Sequence, residues 1–367
     1  MSLLVTGCAG FIGSNFVSFY LKKYPERKII GLDLLTYAGN LDNLRDALTH
    51  PSFTFVKGDI CDAETVEKLF EQYRIERVVH FAAESHVDRS IHDPQVFLKT
   101  NILGTQTLLD CAKRHWKDGN GWLPGCKFVQ VSTDEVYGAL GPTGCFTERT
   151  PLDPHSPYAA SKASADLIVK AYYDTYGLPV AITRCSNNYG PYQFPEKLIP
   201  LMIRNALNHQ PLPVYGDGKQ VRDWLYVTDH CAALKLALEN AADGGVYNIG
   251  GHNEKENIEI VKIILSILRQ KTGDTDINEN LIQHVTDRLG HDRRYAIDPA
   301  KITRELGWSP AVSFEEGMEK TIDWYLGNRD WLEKIISGEY LRFYEKQYGF
   351  TSYNQIDAKR VKGESYN

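Results

Sequence analysis

The stretch VTGCAGFIG, residues 5–13, decides the fold of this protein. It directly follows an apolar run and leads into an amphipathic stretch. Gly7, Gly10 and Gly13 lack side chains, so they allow a tight turn and let backbone N–H groups approach a pyrophosphate at a helix N-terminus. The stretch therefore predicts a strand, a glycine-rich loop and a helix, the opening unit of a dinucleotide-binding fold.

Short β-branched runs alternate with helical patterns along the first half of the chain. Candidate strands cover residues 3–6, 28–33, 53–57, 77–82, 127–132 and 180–184. Amphipathic stretches such as DAETVEKLFEQY and NILGTQTLLDCAKRHW lie between them. Because continuously apolar strands joined by helices form parallel sheets covered on both faces, we predict an α/β, Rossmann-type doubly wound parallel sheet.

The domain organisation follows from the chain length and from a change of pattern near Pro191. The 367 residues are more than one hydrophobic core usually serves. After Pro191 the sequence is rich in loops, with helices predicted near 196–208, 257–272 and 314–327. We predict a Rossmann domain at 1–190 with returning segments near 223–250, a smaller, mixed and discontinuous substrate-binding lobe at 191–350, and a polar tail at 351–367.

Composition excludes several classes of protein. The 41 Lys and Arg against 47 Asp and Glu give a net charge of -6, which offers no general attraction to nucleic acid or an anionic membrane. The seven cysteines are scattered and never spaced as C-x-x-C, which argues against a disulfide framework and a structural zinc site. We expect no metal, no signal peptide, no membrane span and a cytoplasmic location.

Asp33 ends the second candidate strand, 20 residues after Gly13. An acid at this position accepts hydrogen bonds from the hydroxyls of an adenine ribose and repels a 2′-phosphate. The expected cofactor is therefore NAD and not NADP.

The motif YAASK, residues 158–162, places Tyr158 and Lys162 on one face of a predicted helix that reaches about residue 176. A lysine ammonium beside a phenol is expected to lower the phenol pKa, which is about 10 when unperturbed. Tyr158 is then a candidate proton acceptor for an alcohol undergoing oxidation.

The octapeptide VSTDEVYG places Asp134 and Glu135 directly after a candidate strand. Taken alone, two acids at a strand end are most simply caps of a turn or a helix. Two carboxyls that share a pocket are pushed to different pKa values, so one is neutral and the other ionised. Such a pair suits a reaction that needs both an acid and a base.

Longer stretches resemble the extended short-chain dehydrogenase/reductase family of nucleotide-sugar enzymes, over nearly the whole chain. Those most similar to the nucleotide-sugar 4,6-dehydratases are LTYAGNL, HFAAESHVDRSI, VSTDEVYG, SPYAASKASAD, RCSNNYGPYQFPEKLIPLMI and YGDGKQVRDWLYV. The resemblance implies NAD-dependent conversion of dTDP-glucose to dTDP-4-keto-6-deoxyglucose. It implies C4 oxidation, elimination of water across C5 and C6, and hydride return to C6.

The resemblance also assigns roles to individual residues. The catalytic residues that it implies are Thr133, Asp134 as acid, Glu135 as base, Tyr158 and Lys162. The implied cofactor contacts are Gly7, Gly10, Phe11, Ile12, Gly13, Asp33, Thr36, Asp59, Ile60, Ala82, Ala83, Ser85, Thr100, Tyr158, Lys162 and Asn188. The implied substrate contacts are His86, Thr133, Asn187, Glu196, Lys197, Leu198, Pro213, Tyr215, Arg222, Asn257, Arg288 and His291.

Other functions stay open at this point. A UDP-hexose 4-epimerase needs the same glycine loop and Tyr–Lys pair but no acid and base for elimination. Another nucleotide-sugar 4,6-dehydratase, or a cofactor-sensing regulator without catalysis, is a further alternative. One departure is Leu289, where the family pattern usually has proline, and it is expected to loosen its loop.

We also expect a homodimer. The predicted helices near 99–116 and 158–176 carry apolar or small residues on several faces, including Leu108, Leu109, Ala163, Leu167 and Ile168. Two such pairs of helices, related by a two-fold axis, form a four-helix bundle.

Overall fold

The strand that precedes the glycine-rich loop lies at the centre of a parallel sheet. The computed structural model describes residues 2–335 and Gln347. The strands are β1 (Ser2–Thr6), β2 (Lys28–Asp33), β3 (Phe53–Lys57), β4 (Ile75–His80), β5 (Lys117–Asp118), β6 (Gly121–Trp122), β7 (Lys127–Thr133), β8 (Val180–Cys185), β9 (Asn187–Tyr189), β10 (Leu212–Tyr215), β11 (Val221–Tyr226), β12 (Gly245–Ile249), β13 (Glu254–Glu256) and β14 (Ile282–Val285).

The helices cover both faces of this sheet and form much of the second lobe. They are α1 (Phe11–Lys23), α2 (Arg45–Leu48), α3 (Ala63–Tyr73), α4 (Val87–His92), α5 (Pro94–Phe97), α6 (Thr105–Trp116), α7 (Pro157–Tyr176), α8 (Leu198–Leu207), α9 (Val227–Asn240), α10 (Asn257–Thr272), α11 (Ala300–Leu306), α12 (Phe314–Gly327) and α13 (Arg329–Ile335). A π-helical segment, Leu98–Gly104, joins α5 to α6.

The main sheet has seven strands in the order β12-β8-β7-β4-β1-β2-β3, and every neighbouring pair is parallel. Because β1 lies between β2 and β4, the order of strands reverses beside it. In doubly wound sheets, ligands bind at the carboxyl ends of the strands near such a reversal. The predicted Rossmann-type sheet is confirmed.

Local sequence explains where the helix of the YAASK motif begins and ends. The Ser156 hydroxyl accepts a hydrogen bond from the Ala159 N–H, and Pro157 occupies the first helical position. Gly177 ends the helix with φ of 70°, a left-handed conformation that glycine adopts at low cost. These signals position Tyr158 and Lys162 within the first two turns of α7.

The chain after Tyr189 builds a second core. Small sheets, β10-β14 and β13-β11-β9, pack with α8, α10 and α12 around buried side chains such as Trp224, Ile264 and Phe314. The segment α9–β12 instead packs with α1 and β8 in the first core. This packing supports the predicted division at about residue 190 with a return near 223–250, which we retain as a proposal. The predicted tail at 351–367 lies outside the described residues.

Two expectations need correction. The predicted strand at 77–82 is observed at Ile75–His80, because the chain leaves the sheet after His80 to line a cavity. Leu108, Leu109 and Ala163 are buried within the protomer, whereas Leu167 is 61% exposed. The first three residues pack inside the protomer and are therefore not available to a partner.

No helix among residues 2–335 is long and apolar enough to cross a membrane.

Candidate active site

The glycine-rich loop closes tightly against the sheet at the end of β1. Gly7 has φ of 67°, and a Cβ there would lie 2.6 Å from the backbone nitrogen of Ala82. A Cβ on Gly13 would collide with the carbonyl oxygen of Gly7. Helix α1 starts directly after Gly10, which has no side chain to cap it, and no other side chain among residues 2–335 is recorded as a cap of its first N–H groups. These N–H groups are therefore available to an anion.

Asp33 holds the glycine-rich loop from the neighbouring strand. Its carboxylate accepts hydrogen bonds from the backbone N–H of Ala9 at 2.9 Å and of Leu35 at 2.8 Å. Burial raises the pKa of Asp33, and the two N–H donors oppose that rise. The side chain lines the same cavity as Gly7 and Gly10, as expected for a residue beside an adenine ribose.

A cavity of about 450 Å³ runs along the carboxyl ends of the strands. All the cofactor contacts implied by the resemblance line it, from the glycine-rich loop to Asn188. Thr133, Asp134, Glu135, Asn187 and Lys197 line its other end. One continuous cavity thus joins the predicted cofactor residues to the predicted catalytic residues. Its long shape, uncapped helix N-terminus and ribose-facing acid fit a dinucleotide.

Tyr158 and Lys162 both line this cavity, but the expected lowering of the phenol pKa is wrong for the protein alone. Burial, followed by the Glu135 carboxylate, raises the pKa of Tyr158 well above its usual value, and a hydrogen bond with Thr133 opposes the rise. The Lys162 ammonium donates to the Val131 carbonyl at 2.8 Å. Burial also lowers the pKa of Lys162. The spacing of Tyr158 and Lys162 in the sequence could not show these effects of burial and of the Glu135 carboxylate.

Asp134 and Glu135 follow β7 in a short 3₁₀ turn, Asp134–Tyr137. The Thr133 hydroxyl accepts a hydrogen bond from the Glu135 N–H at 3.2 Å and donates to the Asp134 carboxylate at 3.3 Å. Asp134 is 1% exposed, and its Oδ2 has no hydrogen-bond partner among the described residues. Thr133 therefore fixes both acids at the mouth of the cavity.

The two acids have different surroundings. Burial, the neighbouring Glu135 and Asp223 raise the pKa of Asp134 well above its usual range. Burial also raises the pKa of Glu135, but Arg288, Lys197 and Arg222 oppose that rise. The cations thus favour the ionised form of Glu135, whereas burial favours the protonated form of Asp134, which is the order that a base and an acid require.

Glu196 is held in a network that sequence reasoning did not reveal. Its carboxylate accepts hydrogen bonds from the Tyr37 hydroxyl at 3.0 Å and from Arg89 Nε at 3.2 Å. His86 caps α4 and lies 3.9 Å from Glu196. Burial lowers the pKa of His86 well below its usual value, so its imidazole is neutral. The stretch HFAAESHVDRSI contained Arg89, but only its structure shows the partner.

The cationic substrate residues lie beyond Glu135. Arg222 donates to the carbonyls of Val221 and Asp292, and its guanidinium lies 4.2 Å from the centre of the Tyr295 ring. Lys197 Nζ donates to the Ser85 carbonyl at 3.0 Å. Both groups, together with Arg288, oppose the burial-driven rise of the Glu135 pKa, so they lie near the reacting end of the cavity.

The remaining predicted substrate residues come from separate elements of the second lobe. Leu198 begins α8, Pro213 and Tyr215 lie in β10, and Asn257 begins α10 with its Oδ1 buried and unpartnered among the described residues. His291 lies with its ring 5.9 Å from that of Tyr215. Tyr215 and His291 therefore lie together.

The loop that contains Leu289, where the family pattern usually has proline, is attached to the rest of the protein at both ends. Leu289 is 76% exposed. The Asp287 carboxylate pairs with His291 at 2.6 Å and accepts a hydrogen bond from Gln220 at 3.0 Å. Gly290 has φ of 62° and approaches the His155 carbonyl closely. Leucine in place of proline at this position therefore changes no buried packing.

The parallel sheet, glycine-rich loop and Tyr158–Lys162 pair define the class of short-chain dehydrogenases/reductases. A family model described as GDP-mannose 4,6 dehydratase matches residues 4–321. A dTDP-glucose 4,6-dehydratase of Xanthomonas campestris pv. campestris is 52% identical over 92% of this chain and 96% of its own length. The chain belongs to the family of dTDP-glucose 4,6-dehydratases.

Solved structures agree with this assignment. A dTDP-glucose 4,6-dehydratase of Bacillus anthracis, crystallised in complex with NAD, is 50% identical over 91% of this chain and 99% of its own, with a TM-score of 0.82. A UDP-glucose 4-epimerase of Thermotoga maritima is 31% identical over 90% of this chain and all of its own, with a TM-score of 0.79. The epimerase shares the fold at a lower identity.

Proposed function

We propose that the protein converts dTDP-glucose to dTDP-4-keto-6-deoxyglucose and water, with NAD as a cofactor that is regenerated in each turnover. The observation that carries this proposal is the Asp134–Glu135 pair beside Tyr158, in which Arg288, Lys197 and Arg222 oppose the burial-driven rise of the Glu135 pKa while burial and Glu135 raise the pKa of Asp134 well above its usual range. This activity belongs to deoxysugar biosynthesis.

The residues divide the reaction between them. The ionised form of Tyr158, held by Thr133, takes the proton of the C4 hydroxyl while the C4 hydrogen leaves as hydride; burial favours the neutral phenol, so Tyr158 must first lose its own proton. When bound, NAD accepts that hydride and later returns it to C6. The C4 ketone acidifies C5–H, Glu135 removes that proton, and Asp134 gives its proton to the C6 hydroxyl, which leaves as water. Glu135 then returns its proton to C5, and net transfer of one proton from Tyr158 to Asp134 restores the starting state.

The chemistry of the leaving group explains why both acids are needed. A hydroxide is a poor leaving group, so elimination requires a proton donor at the C6 oxygen at the moment when C5–H is broken. Burial keeps Asp134 protonated as that donor. The cations around Glu135 favour its ionised, basic form and place positive charge where the substrate diphosphate binds.

Mass spectrometry after incubation with a panel of nucleotide glucoses tests this function. We expect loss of one water from dTDP-glucose and from no other member of the panel. A 4-epimerase would leave the mass of its substrate unchanged, and another nucleotide-sugar 4,6-dehydratase would dehydrate a different nucleotide sugar. Either result would contradict the proposal.

We also propose a homodimer and a cytoplasmic location. Leu98, Leu103 and Leu167 are between 48% and 61% exposed on helical segments that pack against each other within the protomer. Exposed leucines on adjacent helices support association with a second copy. All seven cysteines lie among the described residues as free thiols, which is typical of a reducing compartment.

A further inference from the structure

Asp88 is a buried carboxylate at a junction of three elements. It lies on α4, is 4% exposed, and accepts a hydrogen bond on Oδ2 from the hydroxyl of Tyr215 in β10 at 3.1 Å. Its other oxygen, Oδ1, lies 3.7 Å from Nε of Arg288, in the loop after β14. The first lobe thus contributes one acid to a group of residues that otherwise belongs to the second lobe.

The contact between Asp88 and Arg288 is the main polar contact of both atoms. Neither Asp88 Oδ1 nor Arg288 Nε has a hydrogen-bond partner among the described residues, and both atoms are buried. Burying a carboxylate is costly unless a cation or donor compensates it, so Arg288 and Tyr215 are held towards Asp88.

The orientation of Arg288 leaves the two terminal nitrogens of its guanidinium available to a ligand. The contact with Asp88 uses Nε, and the terminal guanidinium nitrogens form no hydrogen bond or ion pair with the residues that the structure describes. A planar guanidinium whose Nε faces the Asp88 carboxylate at 3.7 Å keeps its two terminal nitrogens in the geometry that suits phosphate oxygens. Asp287 holds the loop itself, because its carboxylate contacts His291 and Gln220. The direction of the Arg288 side chain is then set by Asp88.

We propose that Asp88 is a positioning residue for the diphosphate subsite. Its carboxylate fixes the guanidinium of Arg288 and the hydroxyl of Tyr215 before the nucleotide arrives, so that Arg288 binds the diphosphate without first losing side-chain freedom. The inference rests on the proposed function, since it is that function which assigns Arg288 and Tyr215 to the substrate.

A double-mutant cycle on the NAD-loaded protein tests this inference. Calorimetry would measure the binding of dTDP to wild type, Asp88→Asn, Arg288→Gln and the double variant. Asp88→Asn keeps the size of the side chain and removes its charge, and we expect about tenfold weaker binding, the lower end for a contact between charged groups. In the Arg288→Gln background, Asp88→Asn should change the affinity by less than about twofold, because Arg288 is already absent and the asparagine carbonyl can still accept the hydrogen bond from the Tyr215 hydroxyl.

Further measurements separate positioning from a general structural effect. Thymidine, which lacks phosphates, should bind wild type and Asp88→Asn equally. The KM for dTDP-glucose should rise about tenfold with kcat nearly unchanged, since Asp88 touches no reacting atom. The matched control is Asp93→Asn, an exposed acid shortly after α4, which should behave as wild type. If Asp88→Asn does not fold, Arg288→Lys, which keeps the charge but not the anchored fork, should weaken dTDP binding to a similar extent.

The outcomes distinguish this inference from the proposed function. Unchanged or tighter dTDP binding by Asp88→Asn, or an equal loss in the Arg288→Gln background, would overturn the role of Asp88 while the dehydratase function stands. Absence of dTDP binding by the wild type would overturn the proposed function itself.

Discussion

Asp134 and Glu135 are adjacent in the chain, yet the structure gives them different chemistry. Burial and two carboxylates, Glu135 and Asp223, raise the pKa of Asp134 against the effect of Arg222. Burial and Asp292 raise the pKa of Glu135, but three cations, Arg288, Lys197 and Arg222, oppose that rise. Carboxyl groups in such contrasting surroundings ionise at different pH values. The pair can therefore supply an acid and a base from neighbouring residues.

The double variant Asp134→Asn with Glu135→Gln should separate oxidation from elimination. It preserves the shape of both side chains but removes proton transfers that are each worth roughly 10² to 10⁴ in rate. We expect it to oxidise C4 and to accumulate reduced cofactor and a 4-keto hexose that keeps its C6 hydroxyl. Near-ultraviolet absorbance and mass spectrometry of the bound sugar would measure this.

Tyr158→Phe is the matched comparison for that experiment. It should stop the reaction before any reduced cofactor appears, because the C4 proton then has no acceptor. If the double variant dehydrates dTDP-glucose at nearly the wild-type rate, Asp134 and Glu135 are only structural caps of the turn after β7.

Asp134→Asn alone should stabilise the protein at neutral pH. The folded-state pKa of Asp134 lies well above its ordinary value of 3.8, so the folded state holds a proton that the unfolded state releases. Stability therefore falls as pH rises from about 3.8 to the folded-state pKa. Asparagine removes this loss, so its melting temperature should exceed that of wild type at pH 7 and match it near pH 3.5. An equal difference at both pH values would show that the effect is not electrostatic.

At the scale of elements, the cofactor end of the site depends on two neighbouring strands. The glycine-rich loop follows β1 and Asp33 ends β2, and hydrogen bonds from Ala9 and Leu35 to Asp33 join the two. The parallel pairing of β1 with β2 places both at the same edge of the sheet. The spacing of 20 residues between Gly13 and Asp33 was therefore enough to predict that the glycine-rich loop and Asp33 lie close together.

Asp33→Ala should weaken NAD binding and reduce the preference for NAD over NADP. The expected change is on the order of 1–3 kcal/mol, the scale of a lost hydrogen bond to a charged group. Calorimetry with both cofactors would measure it, with Asp46→Ala, an exposed acid of α2, as the control. Tightly bound NADP in purified wild-type protein would contradict this interpretation of Asp33.

At the scale of the whole molecule, the cavity is lined by the main sheet and by the chain that leads into the second core. Thr133 ends β7 and Asp134 follows it, and Tyr158 lies on α7, which packs against β7. Glu196 and Lys197 directly precede α8. The exposed leucines lie on the helical segment Leu98–Gly104 before α6 and on α7, the same segments that bring Thr100 and Tyr158 to the cavity.

The paired substitution Leu103→Asp and Leu167→Asp should convert a dimer to a monomer. These side chains are 56% and 61% exposed, and a charge buried at an apolar interface opposes association. Sedimentation at micromolar concentration would measure the change, with Leu48→Asp, 45% exposed on α2, as the control. A wild-type monomer at this concentration would refute the homodimer.

The sequence by itself determined those features that depend on local patterns. The strand–glycine loop–helix unit, the start and end of α7, and the sites of α10 and α12 follow from periodicity, capping residues and turn glycines that act over a few positions. The positions of the glycine-rich loop and Asp33 at one edge of the sheet were predictable because parallel strands bring their carboxyl ends together. The resemblance to the family, and not local pattern, supplied most of the other predicted cofactor residues.

Only the tertiary structure decided the electrostatics of the site. The raised pKa of Tyr158 arises from burial and from carboxylates on another element, which outweigh the expected effect of Lys162 on its own helix. The contact between Asp88 and Arg288 joins residues that are 200 positions apart in the chain (288 − 88). Charge interactions depend on distance and on exclusion of water, and neither quantity is encoded in the spacing of residues along a sequence.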